Sequence, residues 1–118
     1  MKKILIVEDE GLIALMLNKY LVSQNFNVLG IAKSGIEAIE KIKHMKPDLV
    51  IMDIILQGEM NGIEVVTIIK DFSNAPVIFV TGNSLEDIPN QKLDAEIKVF
   101  NKPITLIDLK KHIDSLLN

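Results

Sequence analysis

The sequence contains no cysteine, no tryptophan and no arginine; its thirteen basic residues are all lysine. Without cysteine there is neither a disulfide framework nor a thiolate metal site, and the chain suits a reducing compartment. Without arginine it lacks the forked guanidinium that nucleic-acid readers favour. A net charge of −3 and scattered lysines give no basic stripe, so direct binding to DNA or RNA is not expected. Long apolar runs are missing too. The first, Ile4 to Val7, stops at Glu8-Asp9-Glu10, and none approaches the roughly eighteen residues of a membrane span. The same interruption leaves no room for the apolar stretch of a signal peptide. What remains is the profile of a soluble, cytoplasmic protein, 48% hydrophobic and 118 residues long. That length predicts one domain over residues 1–118, with no output domain attached.

Two patterns alternate along the chain. Short, mostly β-branched runs occur at Ile4–Val7, Val28–Ala32, Leu49–Met52, Val77–Val80 and Ile97–Phe100. Each is too short for a stable helix and reads as a strand buried on both faces. Between them lie helical stripes: Ile13, Met16, Leu17, Tyr20 and Leu21; Val65, Ile68, Ile69 and Phe72; Leu106, Leu109, Ile113 and Leu116. Ile36, Ile39 and Ile42 form a weaker one. Ser34 with Glu37, Asn61-Gly62 with Glu64, and Thr105 with Asp108 mark helix starts. Pro47 and Pro76 each precede a strand and would end the helix before it.

The alternation predicts an α/β fold of the (βα)5 kind: a doubly wound, five-stranded parallel sheet with strand order 2-1-3-4-5 and flavodoxin-like topology. The fourth helical region, Ser84 to Leu93, has few core-type residues, and Pro89 falls in its second turn. A short, late-starting or distorted helix is expected there.

In such a sheet, functional groups collect at the carboxyl ends of the strands. Strand 1 ends at Glu8-Asp9, strand 3 at Asp53, strand 4 at Thr81 and strand 5 at Asn101-Lys102. Taken alone, the Glu8-Asp9-Glu10 triplet reads as acids favouring a helix N-terminus. With strands 1 and 3 adjacent, however, three carboxylates crowd one edge. A pair of them about 4 Å apart costs roughly 4 kcal/mol at an effective dielectric near 20. Such a cluster persists where it holds a cation or tunes a reacting group. An oxygen-only donor set favours Mg²⁺.

These pieces, in this order and each closing a strand, resemble the receiver domain of two-component response regulators over the whole chain, and the chemotaxis regulator in particular. The resemblance implies that Asp53 accepts a phosphoryl group from the phosphohistidine of a histidine kinase or histidine phosphotransfer protein. It implies direct ligation of Mg²⁺ by Asp9, ligation by Glu8 through water, and completion of the site by the backbone carbonyl of Ile55. Thr81 and Lys102 would bind phosphoryl oxygens, and the Lys102–Pro103 bond would be cis. The domain would act as a phosphoacceptor in signalling, not as an enzyme, with self-catalysed transfer and autodephosphorylation as its only chemistry.

Three positions depart from the family pattern. The loop after Asp53, running to Gly62, is one residue longer than the commonest form and lacks its proline. Gly82 stands where alanine is frequent, and Val99 where an aromatic is usual, with Phe100 on the opposite face by alternation. These departures point to Gly82–Leu93 as the mobile element. The alternative reading is a phosphate-independent pseudo-receiver; loss of an acid, of Asp53 or of Lys102 would favour it, and all are present. An aspartyl phosphatase would carry a second acid in Asp53-Ile54-Ile55, and a flavin carrier a Ser/Thr/Gly-rich phosphate loop after strand 1. Neither feature is there.

Overall fold

The computed structural model describes the backbone of residues 1–81, 98–101 and 105–117, and the side chains of these except residues 81 and 98–101. The elements are β1 (Lys3–Val7), α1 (Gly11–Ser23), β2 (Asn27–Ala32), α2 (Gly35–Met45), β3 (Leu49–Met52), α3 (Gly62–Ile69), β4 (Val77–Thr81), β5 (Lys98–Asn101) and α4 (Leu106–Leu117). The strands form one parallel sheet in the order β2-β1-β3-β4-β5. This is the doubly wound α/β architecture the alternation implies. The expected helix over Ser84–Leu93 lies outside the described residues.

Alternation along the strands splits the core in two. Leu5, Val7, Val50, Met52, Val77 and Phe79 face one side, where Ala38 and Ile42 of α2 and Ile63, Val66 and Ile69 of α3 cover them. Ile4, Ile6, Leu49, Ile51, Ile78 and Val80 face the other, under α1 and α4. All four residues of β3 are buried. Burial of such a side chain contributes roughly 1.5–3 kcal/mol, against roughly 1–2 kcal/mol of backbone entropy per ordered residue. A four-residue strand holds because both of its faces are covered.

The helix boundaries follow their caps. Ser34 Oγ accepts from the Glu37 amide, Asn61 and Glu64 form a complete capping box, and Thr105 Oγ1 accepts from the Asp108 amide. Lys46 closes α2 in the left-handed region at φ +50°, and Pro47 follows it. Four residues assigned to core stripes by spacing are instead exposed: Met16, Ile36, Ile68 and Phe72. In α1 the buried residues are Ala14, Leu17 and Leu21, which share an arc of roughly 60°, whereas Met16 lies roughly 160° from Ala14. Small Ala14 lets the helix sit close to the sheet on that arc. Gly35 and Ala38 take the inner face of α2 in the same way, leaving Ile36 outside. The α3 helix stops at Ile69, so Phe72 falls in the turn beyond it, and its inner face is made by Ile63, Val65, Val66 and Ile69.

Candidate functional site

β1 and β3 are neighbours, with Val7 paired to Met52, so the next residue of each strand brings Glu8 level with Asp53. The backbone pins both acids. Asp53 N donates to Val7 O at 2.9 Å, and Glu8 N donates to Ala32 O at 2.9 Å. Glu8 is 3% and Asp53 6% exposed; Asp9 is half-buried. One carboxylate oxygen from each of Glu8, Asp9 and Asp53 lies within 4.8 Å of the other two. Glu8 Oε2 accepts from the Glu10 amide at 3.2 Å, and Asp53 Oδ1 from the Ile55 amide at 3.3 Å.

The acids are not helix caps. Glu10 occupies the N-cap of α1 without a side-chain capping bond, and the first turn holds no acid. At 4.8 Å a pair of carboxylates repels by about 3 kcal/mol at an effective dielectric near 20. Such repulsion contributes nothing to packing. The donors are all hard oxygens, on adjacent strand ends and partly open at Asp9, and they fit a small divalent cation such as Mg²⁺.

Beyond Asp53 the chain makes a long loop to α3. Ile54 and Leu56 turn inward at 0% and 7% exposure, and Ile55 turns outward at 51%. Gly58 supplies a turn at φ +88°, a conformation that suits glycine. The loop ends at Gly62, whose amide donates to Ile54 O at 2.7 Å. A Cβ at Gly62 would collide with the carbonyl oxygen of Asp53 and stand 3.0 Å from Met52 Sδ and 3.1 Å from Phe79 Cε1. The start of α3 therefore rests directly on the backbone of Asp53. In the sequence, Asn61-Gly62 reads only as a helix start. A glycine at a first helical turn, where other residues are tolerated, was the available signal for close approach.

The remaining candidate residues are placed by the backbone alone. Thr81 ends β4; Met52 pairs with Phe79, so Thr81 stands two residues past that pair and Asp53 one. Asn101 pairs with Thr81 at the end of β5, and Lys102 is the next residue in the chain. Lys102 itself, the Lys102–Pro103 bond, Gly82 and Asn83 lie outside the described residues. Topology thus brings Glu8, Asp9, Asp53 and the end of β4 to one edge of the sheet.

Comparison with known proteins agrees with this arrangement. The chain is 36% identical over 100 residues to chemotaxis protein CheY of Thermotoga maritima, covering 84% of this chain and 82% of that protein. It is 34% identical over 109 residues to transcriptional regulatory protein PdtaR of Mycobacterium tuberculosis, covering 92% of this chain and 53% of the regulator. The match to a protein-glutamate methylesterase of Lawsonia intracellularis spans 24% of that protein. A CheY-like receiver domain from Methanospirillum hungatei superposes with a TM-score of 0.86 at 30% identity, covering 99% of this chain and 94% of that one. The receiver domain of PhyR from Erythrobacter litoralis superposes with a TM-score of 0.87 at 28% identity, covering 98% and 89%. The profile described as the response regulator receiver domain matches residues 4–114. With that match over nearly its whole length, the chain belongs to the response regulator receiver domain family.

Proposed function

We propose that this receiver domain takes a phosphoryl group onto Asp53 from the phosphohistidine of a histidine kinase or histidine phosphotransfer protein. The observation that carries the reading is the convergence of Glu8, Asp9 and Asp53 within 4.8 Å at the ends of two adjacent strands. An oxygen of Asp53 attacks phosphorus in line, the phosphorus–nitrogen bond breaks, and the imidazole leaves with the bonding pair. The product is an acyl phosphate that water can erase. Asp9, Glu8 and Asp53, with the carbonyl of Ile55, would hold Mg²⁺, which when bound neutralises charge between nucleophile and phosphoryl group. Thr81 and Lys102, by position, would hold phosphoryl oxygens. The Ile55 amide donates to Asp53 Oδ1 and so helps to set the carboxylate's rotation. The domain is on this reading a cytoplasmic signalling switch, not an enzyme turning over a diffusible substrate.

The test is a mass measurement after treatment with acetyl phosphate. Wild type is expected to gain one phosphoryl group with millimolar Mg²⁺ and none with excess chelator. Asp9→Asn is expected to slow labelling and to remove most of the rise in melting temperature that Mg²⁺ gives by binding the native state. A wild type that is neither labelled nor stabilised by Mg²⁺ would leave the phosphate-independent reading.

The donor protein needs a landing surface beside the acids, and α1 offers one. Leu12, Leu15, Met16 and Val22 are 85%, 47%, 50% and 56% exposed, on the side of the helix away from Ala14, Leu17 and Leu21. An apolar stripe of this kind marks a protein contact, and it starts two residues after Glu10. Leu12→Ala with Met16→Ala is expected to slow transfer from a phosphohistidine protein about tenfold, as for loss of one or two interface anchors. The rate with acetyl phosphate should stay unchanged. Equal loss with both donors would move the docking site elsewhere.

A further inference from the structure

The loop between Asp53 and α3 is bound to more than its own ends. At the near end, the Ile55 amide donates to Asp53 Oδ1, and Ile54 and Leu56 are buried on either side. In the middle, Gln57 forms an isolated parallel bridge with Ser34. Ser34 is the N-cap of α2: its Oγ accepts from the Glu37 amide at 3.2 Å, while Glu37 Oε1 accepts from the Lys33 amide at 3.1 Å. At the far end, Met60 packs against the core. A Cβ on Gly35 would stand 3.0 Å from Met60 Cβ and 2.9 Å from Val65 Cγ2, so Met60 fills the space that Gly35 leaves open. The loop therefore grips the start of α2 at two successive residues, Ser34 and Gly35.

We infer that residues 54–61 act as a strap that carries the state of Asp53 to the first turn of α2; the inference rests on the phosphoacceptor reading above. Converting the carboxylate to an acyl phosphate draws negative charge away from Oδ1, the acceptor of the Ile55 amide, and sets new anionic oxygens beside it. The peptide groups flanking Ile55 then reorient. Leu56, 7% exposed, cannot swing into solvent without losing its burial, so the displacement passes along the chain to Gln57 and Met60. Close packing at Gly35 leaves no slack to absorb it, and packed contacts of this kind respond by repacking as a unit. Gly58 lies between the two grips with nothing within 4 Å of its would-be Cβ, so residues inserted there meet no neighbour.

The test is amide hydrogen exchange in the full chain with Mg²⁺, with and without beryllofluoride as the phosphoryl mimic. Beryllofluoride is expected to change exchange of the amides of residues 35–38 by about fivefold or more, the lower end of typical coupling between sites. Inserting two glycines after Gly58 should leave beryllofluoride binding intact, as read by fluorine NMR, and remove most of that change. If the lengthened chain does not fold, Met60→Ala, which loosens the Gly35 grip alone, should reduce the change instead. Bound beryllofluoride with unaltered residues 35–38 in wild type overturns the strap and spares the phosphoacceptor assignment. So does a full response in the loosened variant. Failure of beryllofluoride to bind wild type removes the phosphoacceptor assignment, and the strap with it.

Discussion

Asp53→Asn is expected to abolish labelling by acetyl phosphate and to stabilise the protein in the absence of metal. The first effect is the larger. An amide oxygen at position 53 lacks the negative charge that makes the carboxylate a nucleophile and cannot give an acyl phosphate, and losing a covalent nucleophile costs on the order of 10⁶ in rate where a complete catalytic unit is broken. Mass measurement before and after treatment reads it directly. The second effect follows from the geometry. Asp53 is 6% exposed and its carboxylate lies within 4.8 Å of those of Glu8 and Asp9, each pair repelling by about 3 kcal/mol at an effective dielectric near 20. Existing hydrogen bonds, including that from the Ile55 amide, offset part of this, so a net gain of about 1–3 kcal/mol is expected in metal-free buffer. The melting temperature should rise without metal and respond less to Mg²⁺ than wild type does. Labelling of Asp53→Asn at the wild-type rate would place the acceptor on another residue. A metal-free variant less stable than wild type would mean that hydrogen bonds to Asp53 outweigh the repulsion.

Gly62→Ala is expected to be the most damaging single-methyl change in the described part of the protein. The added Cβ would collide with the Asp53 carbonyl oxygen, a backbone atom at the end of a strand buried on both faces. Met52 Sδ at 3.0 Å and Phe79 Cε1 at 3.1 Å close the space on the other sides, and both residues are fully buried. A flexible side chain could yield by turning; a strand carbonyl can move only by dragging Asp53 or by pushing α3 away. The latter would break the bond from the Gly62 amide to Ile54 O and disturb the capping box of Asn61 and Glu64. A loss of about 3 kcal/mol, the upper end for overpacking, lowers the melting temperature by roughly 10–20 °C for a domain of this size. Thermal unfolding followed by circular dichroism measures it. Trimming Met52 or Phe79 in the same chain should not restore stability, because the obstructing atom is main chain. Wild-type stability in Gly62→Ala would mean that α3 slides freely on β3.

The described elements were legible in the residue pattern. Runs such as Leu49–Met52 and Val77–Val80 are apolar at every position, and only a strand covered on both faces buries so short a run completely. Chain direction and the lengths between runs then leave a parallel sheet. The caps at Ser34, Asn61 and Thr105 were legible for a local reason: a polar side chain three residues before an acid satisfies helix amides without help from elsewhere. Helix rotation was not. In α1 apolar residues occur on both sides, and spacing assigned Met16 to the core where Ala14 holds the inner arc. Hydrophobicity ranks methionine above alanine, but distance of approach to the sheet ranks the small residue first.

By itself, the sequence determined the alternation of strands and helices, the strand ends on which Glu8, Asp9 and Asp53 stand, and the oxygen-only character of the donors those acids offer. The tertiary structure alone decided that their oxygens converge within 4.8 Å, that Glu8 is buried, and that α3 rests on the Asp53 carbonyl through Gly62. It alone brought Gln57 against Ser34 and Met60 against Gly35, residues that are 23 and 25 positions apart. The division has one cause. Periodicity and capping are short-range properties set by neighbours in the chain. Convergence of charges and backbone-to-backbone contact depend instead on register and packing distance between elements, which arise only when the covered faces of the sheet close.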